Sequence, residues 1–172
     1  MLFRSATEGT FWEDEYFDGN WSEAKRNSIV RGAYHFFQPK KNVARQLTNF
    51  TSIVQLEKGD LPPVIDIEDA QNLSKKEVVV AVKLFAEGLE KKYGVKPIIY
   101  SNRSFIKNYL ADDFQNYTFW IAHYFKPELT INDIRWAFWQ HSDHATLLQS
   151  GTKVDADVFD GDLISLEKMT VQ

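Results

Sequence analysis

The stretch Pro62-Pro63-Val64-Ile65-Asp66-Ile67-Glu68-Asp69 is an apolar run opened by two prolines and closed by acids. Side chains alternate between the faces of a β-strand, so Asp66 and Glu68 project from one face while Ile65 and Ile67 take the other. A rise of about 3.3 Å per residue sets the two side-chain roots roughly 6.6 Å apart. Ionising one carboxyl then raises the pKa of its neighbour. Such a pair can divide into one protonated acid and one carboxylate, which is what cleavage of a glycosidic bond requires. The same residues also read as a strand end with solvated acids, and the rest of the chain has to decide between the two.

On the N-terminal side of this stretch, Val43, Leu47, Phe50 and Val54 recur at steps of four, three and four. That stripe predicts a helix from Asn42 to Leu56, stopped by Gly59. On the C-terminal side, residues 74–94 open with a capping box, Ser74 and Glu77, and repeat the stripe at Val78, Val82, Phe85 and Leu89 before Gly94. This predicts a second helix. VKPIIYSN follows as a strand, and Ser101 or Asn102 can cap a short helix through SFIKNYL.

Further out, LFRSAT near the N-terminus is strand-like, and TEGT with FWEDEYFDGNW reads as a loop leaving its end. SEAKRNSIVRG predicts a short helix with Ser22 as N-cap, Ala24 and Ile29 for burial, and Gly32 as the stop. The aromatic run AYHFFQP, closed by Pro39, suits a buried strand with Tyr34, Phe36 and Gln38 on one face. Toward the C-terminus FWIAHYF, WAFWQHS and KVDADVF are strand-like with only short polar segments between them, so helices drop out there. Strands alternating with helices over the first two thirds imply parallel β-α units, and at least seven strands suggest a sheet closing into a barrel. Chemistry in such a barrel gathers at the C-terminal strand ends. Glu8, His35, Asp66, Glu68, Tyr100, His123, Tyr124, Gln140, Asp155 and Asp157 all fall at or just past those ends.

The bulk numbers narrow the function. A chain of 172 residues with 44% hydrophobic and 15% aromatic residues can bury one sizeable core, which excludes disorder and suggests a surplus of rings for stacking on sugars. A formal net charge of −4 gives no basic footprint, so a nucleic-acid partner is disfavoured. There is no cysteine, which excludes disulfides and thiol catalysis and leaves the compartment open. No run approaches the ~18 apolar residues of a membrane span, so no membrane insertion is expected. The N-terminus MLFRSATEGT shows no secretory leader. With no glycine-rich phosphate loop or nucleophile elbow, no cofactor is expected. His141, Asp143 and His144 fall short of a metal-binding geometry, so no metal is expected either. His35 and His123 read as hydrogen-bonding residues at the groove formed by those strand ends.

Taken together, ATEGT, GAYHFF, PVIDIED, IIYSN, FWIAHY, WAFWQHS and KVDADVF resemble, block by block and in order, the family 25 glycoside hydrolases. These are lysozymes that cut peptidoglycan at N-acetylmuramic acid. The resemblance implies an α/β fold, an irregular TIM-like (β/α) barrel of (β/α)5β3 type, forming one catalytic domain over residues 1–172. It implies Glu68 as catalytic acid, Asp66 as its partner carboxylate and Asp155 as a third active-site acid. It implies a substrate groove lined by Tyr34, Tyr100, Trp120, Tyr124 and Gln140, with Glu8 in support. The substrate would be the β-1,4 bond between N-acetylmuramic acid and N-acetylglucosamine in peptidoglycan glycan strands, met outside the cell or in the wall. Whether Asp66 attacks the sugar or steers the substrate's own acetamido group is left open. So is a saccharide-binding domain that keeps the groove without turnover.

Family members begin with a strand ending in aspartate ahead of the block that matches LFRSATEGT, and this chain starts after it. That predicts a barrel lacking its first strand and self-association through the gap. Ser5, His141 and Asp157 stand where the family commonly has lysine, tyrosine and asparagine.

Overall fold

The structure, a computed structural model, describes residues 1–124, 134–148 and 151–172. Its frame is one eight-stranded sheet. Five successive parallel pairings join β1 (Leu2–Glu8), β3 (Arg31–Phe36), β4 (Val64–Asp66), β5 (Ile98–Asn102), β6 (Thr118–Ala122) and β7 (Trp136–Thr146). The two-residue β2 (Trp12–Glu13) folds back antiparallel on β1, and β8 (Lys153–Phe159) runs antiparallel to β7. KVDADVF is therefore the strand its alternation predicts. Phe125, the last residue of the predicted FWIAHYF strand, lies outside the described residues.

The sheet curls but its ends do not pair among the described residues, because the strand order stops at β2-β1 on one side and at β8 on the other. An open ring agrees with the expected barrel lacking its first strand. A seam of about 630 Å³ separates Leu2, Phe3, Arg4 and Ser5 of β1 from Val154, Asp155 and Asp157 of β8.

Curling gives the sheet an outer and an inner face. On the outer face Ala33, Ile65, Ile67, Ile99, Phe119 and Ile121 pack against Phe50, Val78, Val82, Phe85 and Leu89 of the covering helices. On the inner face Val64, Ile98, Tyr100, Trp120 and Phe138 form a second cluster, with Phe3 and Tyr34 beside it. Adjacent residues of one strand thus serve two different environments, as period-2 alternation requires.

The helices follow their caps. α3 (Lys75–Tyr93) starts at Ser74, whose hydroxyl accepts from the Glu77 amide while the Glu77 carboxylate accepts from the Ser74 amide, and it ends at Gly94 with φ 74°. α2 (Val43–Ile53) starts where the Asn42 side chain accepts from the Arg45 amide. Asn102 caps α4 (Arg103–Phe105), which runs on into a π-helical turn over Ile106–Leu110.

Two helices depart from expectation. α1 spans Phe17–Arg26, six residues earlier than a Ser22 cap would place it, because Phe17, Trp21 and Ala24 make its buried stripe. Ile29 is 40% exposed in the following coil, and Gly32 lies inside β3. The segment read as a loop before Ser22 therefore holds β2 and the first half of α1. α5 (Leu163–Met169) follows β8 where no helix was expected; Asp162 accepts from the Ser165 amide, and Leu166 packs under the inner cluster.

Parallel register brings the C-terminal ends of the strands to one rim. Glu8, Phe36, Asp66, Tyr100, Trp120 and Phe138 are Cα partners in a single row across the sheet.

Candidate active site

Asp66 closes β4 on the inner face and is 8% exposed, whereas Glu68 is exposed at the mouth of the site. The backbone between them is pinned to β5. The Ile67 amide donates to the Tyr100 carbonyl at 3.0 Å, and the Ser101 hydroxyl donates to the Ile67 carbonyl. With Ile67 buried in the outer core, the acids on either side are held inward.

They open into a cavity of about 170 Å³ lined by Tyr34, Asp66, Glu68, Tyr100, Trp120, Gln140 and Asp155. All seven were singled out by the sequence, from strands that lie far apart along the chain. Tyr124 adjoins them through Gln140, whose side-chain oxygen accepts from the hydroxyls of Tyr100 at 2.6 Å and Tyr124 at 2.7 Å. Glu8 does not reach the cavity. Two strands away from Asp66, it accepts from the Gln38 amide nitrogen at 2.6 Å.

The electrostatics differ from the simple division of acid and carboxylate. Burial, then the charge of Glu68 and a hydrogen bond donated to Glu68, push Asp66 up to about 8. Burial raises Glu68 as well, against the bond it accepts from Asp66. With Asp66 pushed up to about 8, the pair holds a proton at neutral pH. Asp66 is the more strongly raised of the two because it has lost more water, a direction opposite to the expected order of a protonated Glu68 beside an ionised Asp66. Asp66 Oδ1 is buried with no hydrogen-bond partner among the described residues.

The remaining walls are aromatic and acidic. Trp120 stacks on Phe3 at 4.3 Å, meets Tyr100 edge-on at 4.7 Å, and donates its indole N–H to Asp157 Oδ1 at 2.7 Å. Burial pushes Asp157 up to about 6, with the Trp120 bond working against it. Asp155, on the same strand, is raised by burial and by the charge of Asp143. The Tyr34 and Tyr100 hydroxyls are held above their ordinary range, both mainly by burial.

Phe3, which stacks on the Trp120 ring, was not named by the sequence, and Asp157, which accepts from its indole, was placed at a strand end but given no role. The Asp155/Asp157 alternation in KVDADVF was the available signal for the second of them.

His35 is not at the groove. It is fully buried on the outer face, where its Nε2–H donates to Gln46 Oε1 at 3.2 Å and its Nδ1 accepts from the Thr7 hydroxyl at 2.7 Å. Burial lowers its pKa to about 4. His144 pairs with Asp143 at the surface, while His141 packs on Trp139. Among the described residues no group of three or more His, Asp or Glu side chains is arranged to hold a metal ion.

The family model for Glycosyl hydrolases family 25 matches residues 1–149. The chain belongs to glycosyl hydrolase family 25. Solved structures of similar fold include a family 25 glycosyl hydrolase from Bacillus anthracis, 32% identical with a TM-score of 0.88 over 98% of this chain and 81% of that one. A bacterial lysozyme from Streptomyces coelicolor is 26% identical with a TM-score of 0.89, covering 98% of this chain and 84% of that one. Among curated proteins, the uncharacterized protein YegX of Escherichia coli K12 is 38% identical over 167 residues. That alignment covers 97% of this family 25 chain and 61% of YegX, so the chain spans about three fifths of that relative.

Proposed function

We propose that this chain is a muramidase that cleaves the β-1,4 bond between N-acetylmuramic acid and N-acetylglucosamine in peptidoglycan. The observation that carries the reading is a pair of coupled carboxyls holding a proton, Asp66 buried at the base and Glu68 at the mouth of a small, aromatic-walled cavity. Family membership and the likeness to a bacterial lysozyme support the same chemistry.

In this reading the proton crosses the hydrogen bond from Asp66 to Glu68, the member that faces the mouth. Glu68 gives it to the glycosidic oxygen as the bond to the sugar's anomeric carbon breaks and its electron pair goes to that oxygen. Asp66, now ionised and buried, stabilises the positive charge on the sugar, either by attacking the anomeric carbon or by steering the acetamido oxygen to do so. Water then completes hydrolysis and returns a proton to Glu68. Asp155 adds a third carboxyl to the cavity lining, Tyr100 and Trp120 give stacking surfaces, and Tyr34, Tyr124 and Gln140 recognise hydroxyls. Glu8 supports the rim through Gln38.

The proposal extends to residues 1–172 acting as one catalytic domain of the irregular TIM-like (β/α)5β3 type, working outside the cell or in the wall. No helix among the described residues is long and apolar enough to cross a membrane. The open edges of β1 and β8 are a route to self-association by strand pairing. A saccharide-binding domain with little turnover is the second reading, favoured by burial raising Asp66 more strongly than the mouth-facing Glu68.

Clearing of a cell-wall suspension separates the two. The wild type clears it and Glu68→Gln loses at least about 100-fold in rate. Equal clearing by both overturns the acid assignment, and binding by both without clearing establishes the binding domain.

A further inference from the structure

The cavity is too small for the polymer it is proposed to cut. Its 170 Å³ lies well below the about 300 Å³ at which small-molecule pockets begin, so sugars on either side of the scissile bond must rest outside it, in the adjoining seam or on the rim. We propose that Trp12 and Phe36 form an aromatic ledge that carries the glycan strand away from Asp66, past β3 and β1. This rests on the hydrolase reading above and adds a binding surface to it.

Strand alternation fixes the direction of both rings. On β3, His35 points to the outer core, with its ring against Phe85, so Phe36 points inward beside its Cα partner Asp66. On β1, Thr7 bonds to His35 on the outer face, so Glu8, the partner of Phe36, points inward. Trp12 is the cross-strand partner of Glu8 and shares its face. The row Asp66, Phe36, Glu8, Trp12 therefore leads from the reacting carboxyls to the sheet edge. At about 4.8 Å per strand it extends roughly 14 Å, enough for more than one further sugar ring.

Neither ring has another task. Trp12 is 46% exposed and Phe36 is half-buried, and among the described residues neither belongs to the inner or the outer cluster. The hairpin that presents Trp12 is held by its backbone, since the Asn49 side chain donates to the carbonyls of Gly9 at 3.2 Å and Trp12 at 3.1 Å. Binding there costs little ordering. Between the rings sits the hydrogen-bonded Glu8 and Gln38 pair, so the ledge alternates stacking faces with hydroxyl partners. That alternation suits a saccharide better than an apolar protein surface, which would exclude a charged carboxylate from its centre.

The test compares alternating N-acetylglucosamine and N-acetylmuramic acid oligosaccharides of four and eight sugars as substrates of the wild type and of Trp12→Ala. The expected result is a KM for the octasaccharide raised about tenfold in Trp12→Ala, with kcat and the tetrasaccharide KM within about twofold of wild type. Phe36→Leu, which keeps an apolar side chain on the inner face, should raise the same KM in the same direction. Unchanged kinetics on both lengths overturns the ledge while leaving the hydrolase reading intact. Equal loss on both lengths overturns it too, since that marks a general defect. A wild type that cleaves neither length overturns the hydrolase reading and the ledge with it.

Discussion

His35 and Asp66 sit on neighbouring strands one register step apart, and both are buried titratable groups, yet the sheet treats them in opposite ways. His35, on the outer face, has partners at both ring nitrogens and is held neutral by burial, its pKa lowered to about 4. Asp66, on the inner face, keeps an oxygen without a partner, lies against a second carboxyl and is pushed up to about 8. The outer face spends its polar groups on each other. The inner face keeps one proton and one unsatisfied oxygen available to a substrate, as buried functional carboxyls do. Stability and chemistry are thus divided between alternate residues of the same strands.

The largest effect expected from breaking that division lies on the outer face. Phe85 is fully buried and stacks on Phe37, so Phe85→Ala should lower unfolding free energy in urea by about 3–5 kcal/mol. Cleavage per folded molecule should stay unchanged. A tenfold loss of kcat at full folding would show that the faces are not separable.

Next in size is Asp66→Asn on the inner face. The folded pKa of Asp66 lies above the ordinary carboxylate value, so its stabilising contribution is whole below about pH 4 and is lost as pH rises through about 8. Asparagine does not ionise. The variant should therefore gain about 3 °C or more in Tm at pH 8 and little at pH 4, while wall cleavage is abolished. A Tm gain that does not depend on pH would contradict the assigned proton.

The smallest effect has the opposite pH sense. His35 has a folded pKa below its unfolded value near 6.5, so its contribution is whole above that pH and is lost as pH falls toward about 4. His35→Gln should cost about 1 kcal/mol at pH 7. It should also flatten the decline of stability between pH 6.5 and pH 4, measured by thermal unfolding across that window. An unchanged acid limb would mean that His35 is not the group being protonated.

Much of this arrangement was legible in the sequence, for local reasons. Ser74, Glu77 and Gly94 carry the boundaries of α3 in their own side chains and backbone, and the alternation around Asp66 sets its face. What was hidden depends on tertiary context. α1 starts at Tyr16, which makes no side-chain cap, so Ser22 was a false start signal. α5 is a seven-residue helix whose single buried side chain, Leu166, gives no periodic stripe. Glu8 and His35 both follow strand segments rich in groove residues, and only the register shift between Ser5 and Thr7 determines that Thr7 meets His35 behind the sheet. The position of the proton was hidden for the same reason, because spacing sets the coupling of two carboxyls but burial decides which of them holds it.

The central claim is that Asp66 and Glu68 act as one unit that keeps a proton at neutral pH. A carboxyl-carbon NMR titration of the free protein, assigned with Asp66→Asn and Glu68→Gln, measures this directly. Asp66 should titrate with a midpoint near 8 in the wild type and move down in Glu68→Gln, where the neighbouring charge is gone. A midpoint near 4, unmoved by Glu68→Gln, would contradict the account.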